Sequence, residues 1–464
     1  MVVQKFGGTS VADPEAVLRL ISIARDARER SGRGPIVVVS ALGGVTDALL
    51  TVAAEAGASR TTEALALVDR LRERHLTMSR ALVEGAARSA LEAQLTSQFD
   101  ELAAVVRALA VLREVSDRTM DVVAAMGELL SSRIVAAALA QQGLPGEWVD
   151  ARRTIVTTDD HTRAMPLMRE TTAALRGVVV PLVDAGRIPV IGGFVGATLD
   201  GHTTTLGRGG SDYSGAIVGA GVGADEIQIW TDVDGMLTAD PRLIEGPRLV
   251  PQLSFAEAAE LAYFGAKVLH PSTIHPAVER NIPVRILNSR RPDGPGTLIT
   301  SDPAPGSHAL TAMAAKRDVT VIDITSSRML MAYGFLRRVF EVFERFQTAV
   351  DVVTTSEVSV SVTVDDRRHL DAIVEALSEL GEVSVEREMA LLCAVGDRLR
   401  AEPAIAARVV RVLEEVPLRM ISQAASRRNI TVIMRQADLS HAVHRLHEEF
   451  FGRPVTPVPV GALE

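Results

Sequence analysis

Residues 2–14 read VVQKFGGTSVADP. Val2–Phe6 has the composition of a strand, Gly7 and Gly8 form a tight turn, and Asp13 followed by Pro14 opens a helix, with Asp as N-cap and Pro at the first helical position. Strand, glycine turn, helix is the unit from which α/β folds are built. Paired glycines let the backbone approach an anion, and a helix N-terminus favours negative charge. Lys5 adds a full positive charge at the strand's end. Because this Lys precedes the glycines, the segment is not a Walker A loop. Read alone it is equally a plain strand-to-helix turn.

Moving outward, further strands are expected at Ile36–Ser40, Pro189–Gly192, Ile227–Thr231 and Val284–Asn288. These are apolar runs without alternation, as in strands covered on both faces, and helical stretches separate them, so a mainly parallel sheet is expected. Residues 60–140 differ. Leu65, Val68, Leu71 and His75, then Leu91, Leu95, Leu102 and Val105, recur at helical spacing, which predicts a helical hairpin or small bundle inserted in the α/β domain. Residues 300–307 (TSDPAPGS) read as a linker. Beyond them a weak repeat appears. A helical stripe at Val339, Phe340, Val342 and Phe343 precedes strands at Val350–Val353 and Val358–Val364. A second stripe at Val409, Val410, Val412 and Leu413 precedes Leu418–Ser422 and Ile430–Met434. Two small ferredoxin-like βαββαβ modules fit this order.

A chain of 464 residues exceeds what one hydrophobic core usually serves, so two or more domains are expected. The net charge of −9 argues against a nucleic-acid or anionic-membrane surface. The single cysteine, Cys393, cannot form an intramolecular disulfide, which fits a cytoplasmic setting. The first apolar run stops at Gln4 and Lys5, unlike a signal peptide, and no uncharged stretch such as Ile188 to Leu199 has the length of a membrane span.

Three more segments could carry chemistry. In Gly207-Arg208-Gly209-Gly210-Ser211-Asp212, which follows an expected hairpin around Asp200-Gly201, an Arg among glycines at a helix start suggests a second anion site, and Ser211 could cap the helix. The segment from Trp230 to Gly235, followed by Thr238 to Arg242, begins where a parallel sheet binds ligands, at a strand's carboxyl end. Lys267, in Phe264-Gly265-Ala266-Lys267, could reach a phosphate or lie on a helix surface. His270 and His275 have no third ligand near them in sequence, so no structural zinc site is expected. Glu128 stands among apolar neighbours on an expected helix, where a lone Glu more often lies at a solvated edge; Ser40 follows a strand and does not read as a nucleophile.

Taken together, KFGGTSV at 5–11, VVVSALGGVTD at 37–47, GELLSS at 127–132, GRGGSDYSGA at 207–216, WTDVDGMLTADPR at 230–242, FGAKVLHP at 264–271, GFLRRVFEVFERF at 334–346 and VDVVTTSEVSVSVTVD at 350–365 resemble the aspartokinase family, in family order along nearly the whole chain. The resemblance implies an amino-acid kinase-like three-layer sandwich over residues 1–303, with the helical insertion at about 60–140. Two ACT domains would follow, at 310–388 and 389–464, and no dehydrogenase domain. It implies phosphoryl transfer from ATP, with Mg²⁺ held mainly by the nucleotide phosphates, to the side chain of L-aspartate, the first step of lysine, threonine and methionine biosynthesis. Lys5 would stabilise the transferring phosphoryl group, with Gly7, Gly8 and Ser10 shaping its site and Asp212 orienting Lys5. Arg208 would hold the substrate α-carboxylate and Glu128 its ammonium, while Ser40, Thr46, Phe194 and Ser211 line the pocket. Thr231, Asp232, Leu237, Arg242 and Lys267 would meet ATP; Leu237 stands where many members carry Tyr. An allosteric amino acid, lysine first and threonine as the alternative, would bind at Met329, Phe335, Leu336, Val350, Asp351, Ser356 and Glu357, between ACT modules paired in a homodimer or larger assembly. Met331 and Ala332 replace a His and a Ser frequent in lysine-sensitive members. The competing readings are a kinase of the same fold acting on glutamate, acetylglutamate, carbamate or a nucleotide, and an amino-acid sensor with an inactive kinase half.

Overall fold

The computed structural model describes residues 1–452 except 208, 266–268, 270, 303–309, 330–332, 398, 400, 401, 424 and 425. Along the chain come β1 (Val2–Phe6), α1 (Pro14–Ser31), β2 (Ile36–Val39), α2 (Val45–Gly57), α3 (Thr61–Leu82), α4 (Gly85–Leu112), α5 (Asp117–Gln141), β3 (Gly146–Val149), α6 (Met168–Asp184), β4 (Ile188–Gly192), β5 (Val195–Ala197), β6 (Thr203–Thr205), α7 (Gly210–Val222) and β7 (Glu226–Thr231). They continue with β8 (Gln252–Ser254), α8 (Phe255–Tyr263), α9 (His275–Glu279), β9 (Val284–Asn288), β10 (Thr297–Thr300), β11 (Ala312–Thr325), α10 (Phe335–Arg345), β12 (Val353–Thr355), β13 (Ser359–Val364), α11 (Leu370–Ser378), β14 (Glu382–Val395), α12 (Pro403–Val412), β15 (Leu418–Gln423), β16 (Asn429–Arg435) and α13 (Leu439–Phe451). They form two units. One holds Met1–Met236 with Val268–Asp302, the other Leu237–Lys267 with Pro303–Glu464. The expected catalytic segment 1–303 thus gives up residues 237–267 to the second unit.

In the first unit the strands run β3-β4-β2-β1-β7-β9-β10. All neighbours are parallel except β9 with β10. β1 is central, with β2 on one side and β7 on the other, so the chain reverses its direction of travel across the sheet at β1. In an open α/β sheet, the crevice at that switch point, beyond the strands' carboxyl ends, is where ligands bind. The helix after β1 starts as its sequence dictates: Ala16 donates its N–H to Asp13 Oδ1 at 2.8 Å, with Pro14 at the first helical position.

The insertion expected at 60–140 is α3, α4 and α5, which pack with α2 on the sheet's core. Leu91, Leu95 and Leu102 are buried, as is His75, whose Nδ1 lies 2.7 Å from Leu71 O; burial pushes its pKa down to about 4. By length and composition α5 could cross a membrane, but 83% of its apolar window is buried inside the protein. Its hydrophobicity is that of a core helix.

In the second unit one antiparallel sheet runs β12-β13-β11-β14-β16-β15. β11 and β14 are 14 residues each and pass through both modules. The second half of β11 pairs with the first half of β14 and carries the core under α10 and α11. Ala312–Lys316 pairs instead with Leu391–Val395, over the core of α12 and α13. The first module is therefore β11-α10-β12-β13-α11-β14, a βαββαβ unit inserted in the second, which takes its extra strand from the start of β11. The expected cut at 388/389 falls inside β14. Burial marks the change of module there: a first half with only Val383 and Val385 turned partly to the α10–α11 core gives way to seven buried residues. The strand expected at Val350–Val353 begins only at Val353, and Val350 packs against the α10–α11 core from the preceding loop.

Candidate active site

Lys5 is the last but one residue of β1, with its Nζ 2.6 Å from Asp212 Oδ1; both side chains are largely buried. Asp212 lies in the first turn of α7. The turn after β1 is tied to the neighbouring strand, since Gly7 donates its N–H to Trp230 O at 3.0 Å and Ser10 Oγ lies 2.8 Å from Ser289 Oγ. Ser40, at the end of β2, donates its N–H to Phe6 O and accepts at its carbonyl from Ser131 Oγ. Thr46 stands in the first turn of α2.

These residues surround a cavity of about 710 Å³, whose wall includes Lys5, Gly8, Ser40, Thr46, Glu128, Phe194, Ser211 and Asp212. Residues spread over 200 positions of sequence meet there because β1, β2 and α7 all end or begin at the switch point. Glu128 comes from α5 and is 3% exposed. Ser211 Oγ donates to its Oε1 at 3.4 Å, and its Oε2 is buried without a partner among the described residues. Burial raises this carboxyl's pKa from 4.5 to about 7, against the smaller opposing pull of hydrogen bonds from Ala41 and Ser211 and the charge of Lys5. Ser211 does not cap α7, whose N-cap is Gly209, so its hydroxyl is free to meet Glu128.

Phe194 adopts φ +63°, a strained backbone for a bulky residue, held by its N–H to Ser214 Oγ at 2.8 Å and its carbonyl accepting from Leu206 N–H. Its ring packs on Gly210, where an added Cβ would stand 2.5 Å from Phe194 Cδ2, so only glycine fits. The hairpin expected around Asp200-Gly201 is β5–β6.

Thr231 ends β7, with Asp232 exposed after it. Arg208 and Lys267 lie outside the described residues. Leu237 and Arg242 belong to the second unit. There the Arg242 guanidinium pairs with Asp240, whose carboxyl also accepts from the Arg242 N–H at 2.9 Å and is held below the usual carboxylate range by that guanidinium. Asp240 thus closes a local turn onto Arg242.

Of the expected effector residues, Phe335 and Val350 face the first module's core, Leu336 is exposed, and Met329 packs at its edge. Ser356 Oγ bonds Ser359 Oγ, and Glu357 is exposed. Asp351 already has a cation: Lys316 Nζ lies 2.9 Å from Asp351 Oδ1 and 3.2 Å from Asp365 Oδ2. Met331 and Ala332 lie outside the described residues.

Residues 1–288 match the amino acid kinase family and 392–450 an ACT domain. Over 97% of its length the chain is 38% identical to chloroplastic aspartokinase 3 of Arabidopsis thaliana, covering 81% of that protein. It is 34% identical to the lysine-sensitive aspartokinase 3 of Escherichia coli, covering 97% of this chain and 99% of that one. The chain belongs to the aspartokinase family. Its structure superposes on E. coli aspartokinase III in complex with aspartate and ADP at a TM-score of 0.81, and on the same enzyme in complex with lysine and aspartate at 0.83. Each comparison covers 97% of this chain at 32% identity. As an aspartokinase it is an ATP-dependent phosphotransferase.

The sequence reading passed over several cavity residues: Asp47, Leu50, Met120, Ala124, Thr162 and Thr205. Met120, Ala124 and Glu128 follow one another at four-residue steps, so helical spacing from Glu128 would have found two of them.

Proposed function

We propose that this chain transfers the γ-phosphoryl group of ATP to the side-chain carboxylate of L-aspartate, giving 4-phospho-L-aspartate and ADP. The observation that carries the substrate assignment is Glu128. A buried carboxylate with an unpartnered oxygen in the wall of the cavity calls for a cation, and the ammonium of an amino acid supplies one. Arg208 would take the α-carboxylate, while Ser40, Thr46, Phe194 and Ser211 fix the substrate between these two ends.

The acceptor carboxylate has a free pKa of about 3.9 and is already ionised, so no general base is required. The barrier lies in bringing one anion up to another, which charge and positioning lower. Lys5, oriented by Asp212, meets the charge that develops on the transferring group, and within the turn the Gly8 and Thr9 N–H groups would face the phosphates, those of Gly7 and Ser10 being taken by Trp230 O and Gly7 O. Thr231 and Asp232, with Leu237, Arg242 and Lys267, would bind the rest of the nucleotide. No group of three or more His, Cys, Asp or Glu side chains converges among the described residues. Mg²⁺ keeps several waters and would be held here mainly by the phosphate oxygens. Mg²⁺ on the nucleotide would neutralise phosphate charge.

The second unit would sense an end-product amino acid, lysine in the first place. The exposed Tyr333, Leu336, Phe340, Val353 and Val358 on its first module fit pairing with a second copy. The buried Cys393 is compatible with a reducing cytoplasm.

The test is incubation with ATP, Mg²⁺ and single amino acids, trapping acyl phosphate with hydroxylamine. Aspartyl hydroxamate is expected. Product with glutamate but not aspartate refutes the substrate, and no product with any amino acid refutes the kinase reading.

A further inference from the structure

Beside the cavity, α5 buries a second carboxylate that the mechanism does not use. Asp121 precedes Glu128 by seven residues, two helical turns, so both leave the helix on nearly the same side. Asp121 is fully buried, does not line the cavity, and has no Lys or Arg partner in a described ion pair. Its Oδ1 accepts from Thr205 Oγ1 at 2.5 Å, its Oδ2 from His161 Nδ1 at 2.7 Å, and both oxygens from the Thr162 N–H at 3.0 and 3.1 Å.

These donors come from two separate segments that frame the second glycine loop. Thr205 ends β6, two residues before Gly207, and its carbonyl accepts from the Ala164 N–H. Thr162 sits at φ +68°, a conformation costly for a β-branched residue and held only if its surroundings fix it. The Thr162 carbonyl leans on Gly207, itself at φ +74°, where an added Cβ would stand 3.2 Å away. Thr162, Thr205 and Gly207 all form cavity wall together with Gly209, Gly210, Ser211 and Asp212. Both approaches to the loop are therefore anchored on one buried carboxylate.

We infer that Asp121 is a positioning residue for the acceptor half of the site. By clamping Thr162 and Thr205 it fixes where the Gly207–Asp212 loop starts, and so the placement of the groups that receive the amino-acid substrate. The Gly7–Ser10 turn, which would meet the phosphates, is tied to Trp230 and Ser289 and makes no bond to this cluster. Loss of the clamp therefore falls on the amino acid rather than on ATP. This inference rests on the aspartate-kinase reading.

The test is steady-state kinetics of Asp121→Asn, Thr205→Val and Thr205→Ser on the full chain, with folding checked by circular dichroism. Asp121→Asn and Thr205→Val should each raise the aspartate KM by about 10- to 100-fold, the scale of a misplaced reacting group, with the ATP KM within about twofold. Thr205→Ser, which keeps the hydroxyl, should restore near-native values. Because the two groups act as one unit, the double variant should be little worse than Asp121→Asn alone. Unchanged aspartate KM, an equal rise in both KM values, or multiplying effects in the double variant would overturn the proposal. Should Asp121→Asn not fold, His161→Phe removes one donor at a partly exposed side chain, and the same split between the two KM values decides. A native enzyme that gives no aspartyl hydroxamate defeats the parent reading instead, before any variant is compared.

Discussion

Replacing Glu128 by Gln separates two consequences of one buried carboxylate. Its pKa stands at about 7 instead of 4.5 because burial disfavours the ion. Below pH 4.5 both folded and unfolded chains hold the proton, and nothing is lost. As pH rises from 4.5 towards 7 the unfolded chain releases the proton while the folded one retains it, so stability falls, levelling off above 7. The difference of about 2.5 units is worth about 3 kcal/mol. Glu128→Gln keeps the shape and cannot ionise, so it should be more stable than native by up to about 3 kcal/mol at pH 8 and equal to it near pH 4.5. Function should move the opposite way. If the ionised carboxylate binds the substrate ammonium, only the ionised fraction is competent. That fraction is about one tenth at pH 6 and nine tenths at pH 8, so the native aspartate KM should fall about tenfold across this range. The assay is ADP release in a coupled system at saturating ATP, with thermal unfolding followed on the same samples. In the variant the aspartate KM should be raised and should lose this pH dependence. A native KM that is flat from pH 6 to 8, or a variant that keeps the native slope, refutes the assignment of Glu128 to the ammonium.

Lys5→Ala should lower kcat by about 10²–10³ with modest change in aspartate KM, because its charge matters most as charge moves onto the transferring group; initial rates with both substrates varied will show this. Gly210→Ala should raise the aspartate KM by roughly tenfold or more, since the methyl drives the strained Phe194 ring from its seat, while a KM within twofold of native would show that the ring does not shape the pocket. Lys316→Ala should lower the lysine concentration giving half inhibition by about fivefold, as it frees Asp351 from a half-buried ion pair worth roughly 1 kcal/mol. Weaker or unchanged inhibition would remove Asp351 from the effector site.

What the sequence made legible follows the range of the interactions involved. The α1 cap, the β5–β6 turn and the insertion helices depend on residues a few positions apart, so Asp13-Pro14, Asp200-Gly201 and the Leu91–Leu95–Leu102 spacing were enough to predict them. The order of motifs brought the expected substrate and phosphoryl-transfer residues into view, and Lys5, Ser40, Thr46, Glu128, Phe194, Ser211 and Asp212 do share one cavity. The module boundary was not legible, because β11 and β14 are each a single strand shared by both modules. Only pairing shows that Ala312–Lys316 completes the second module rather than opening the first.

The same argument explains which charges looked free in the sequence and are not. Asp351 reads as an open carboxylate on a strand–turn–strand until Lys316, 35 residues earlier, is found against it. A cationic effector meeting Asp351 must displace an ammonium that the chain itself supplies. The effector's net gain is then the difference between two similar ion pairs rather than the whole of one. Selectivity for lysine would have to come from the groups that hold its other end. Lys316 also bonds Asp365, and its ammonium lies 5.2 Å over the ring of Tyr263, the last residue of α8. Displacing it would alter contacts on α8, one residue before the Phe264–Lys267 segment assigned to the nucleotide. Tyr263 also hydrogen-bonds Asp351, so if that is how binding at the first module is felt, Tyr263→Ala should weaken inhibition more than it weakens lysine binding. Titration of lysine by calorimetry beside the inhibition curve separates the two, and parallel loss of binding and inhibition would defeat the link.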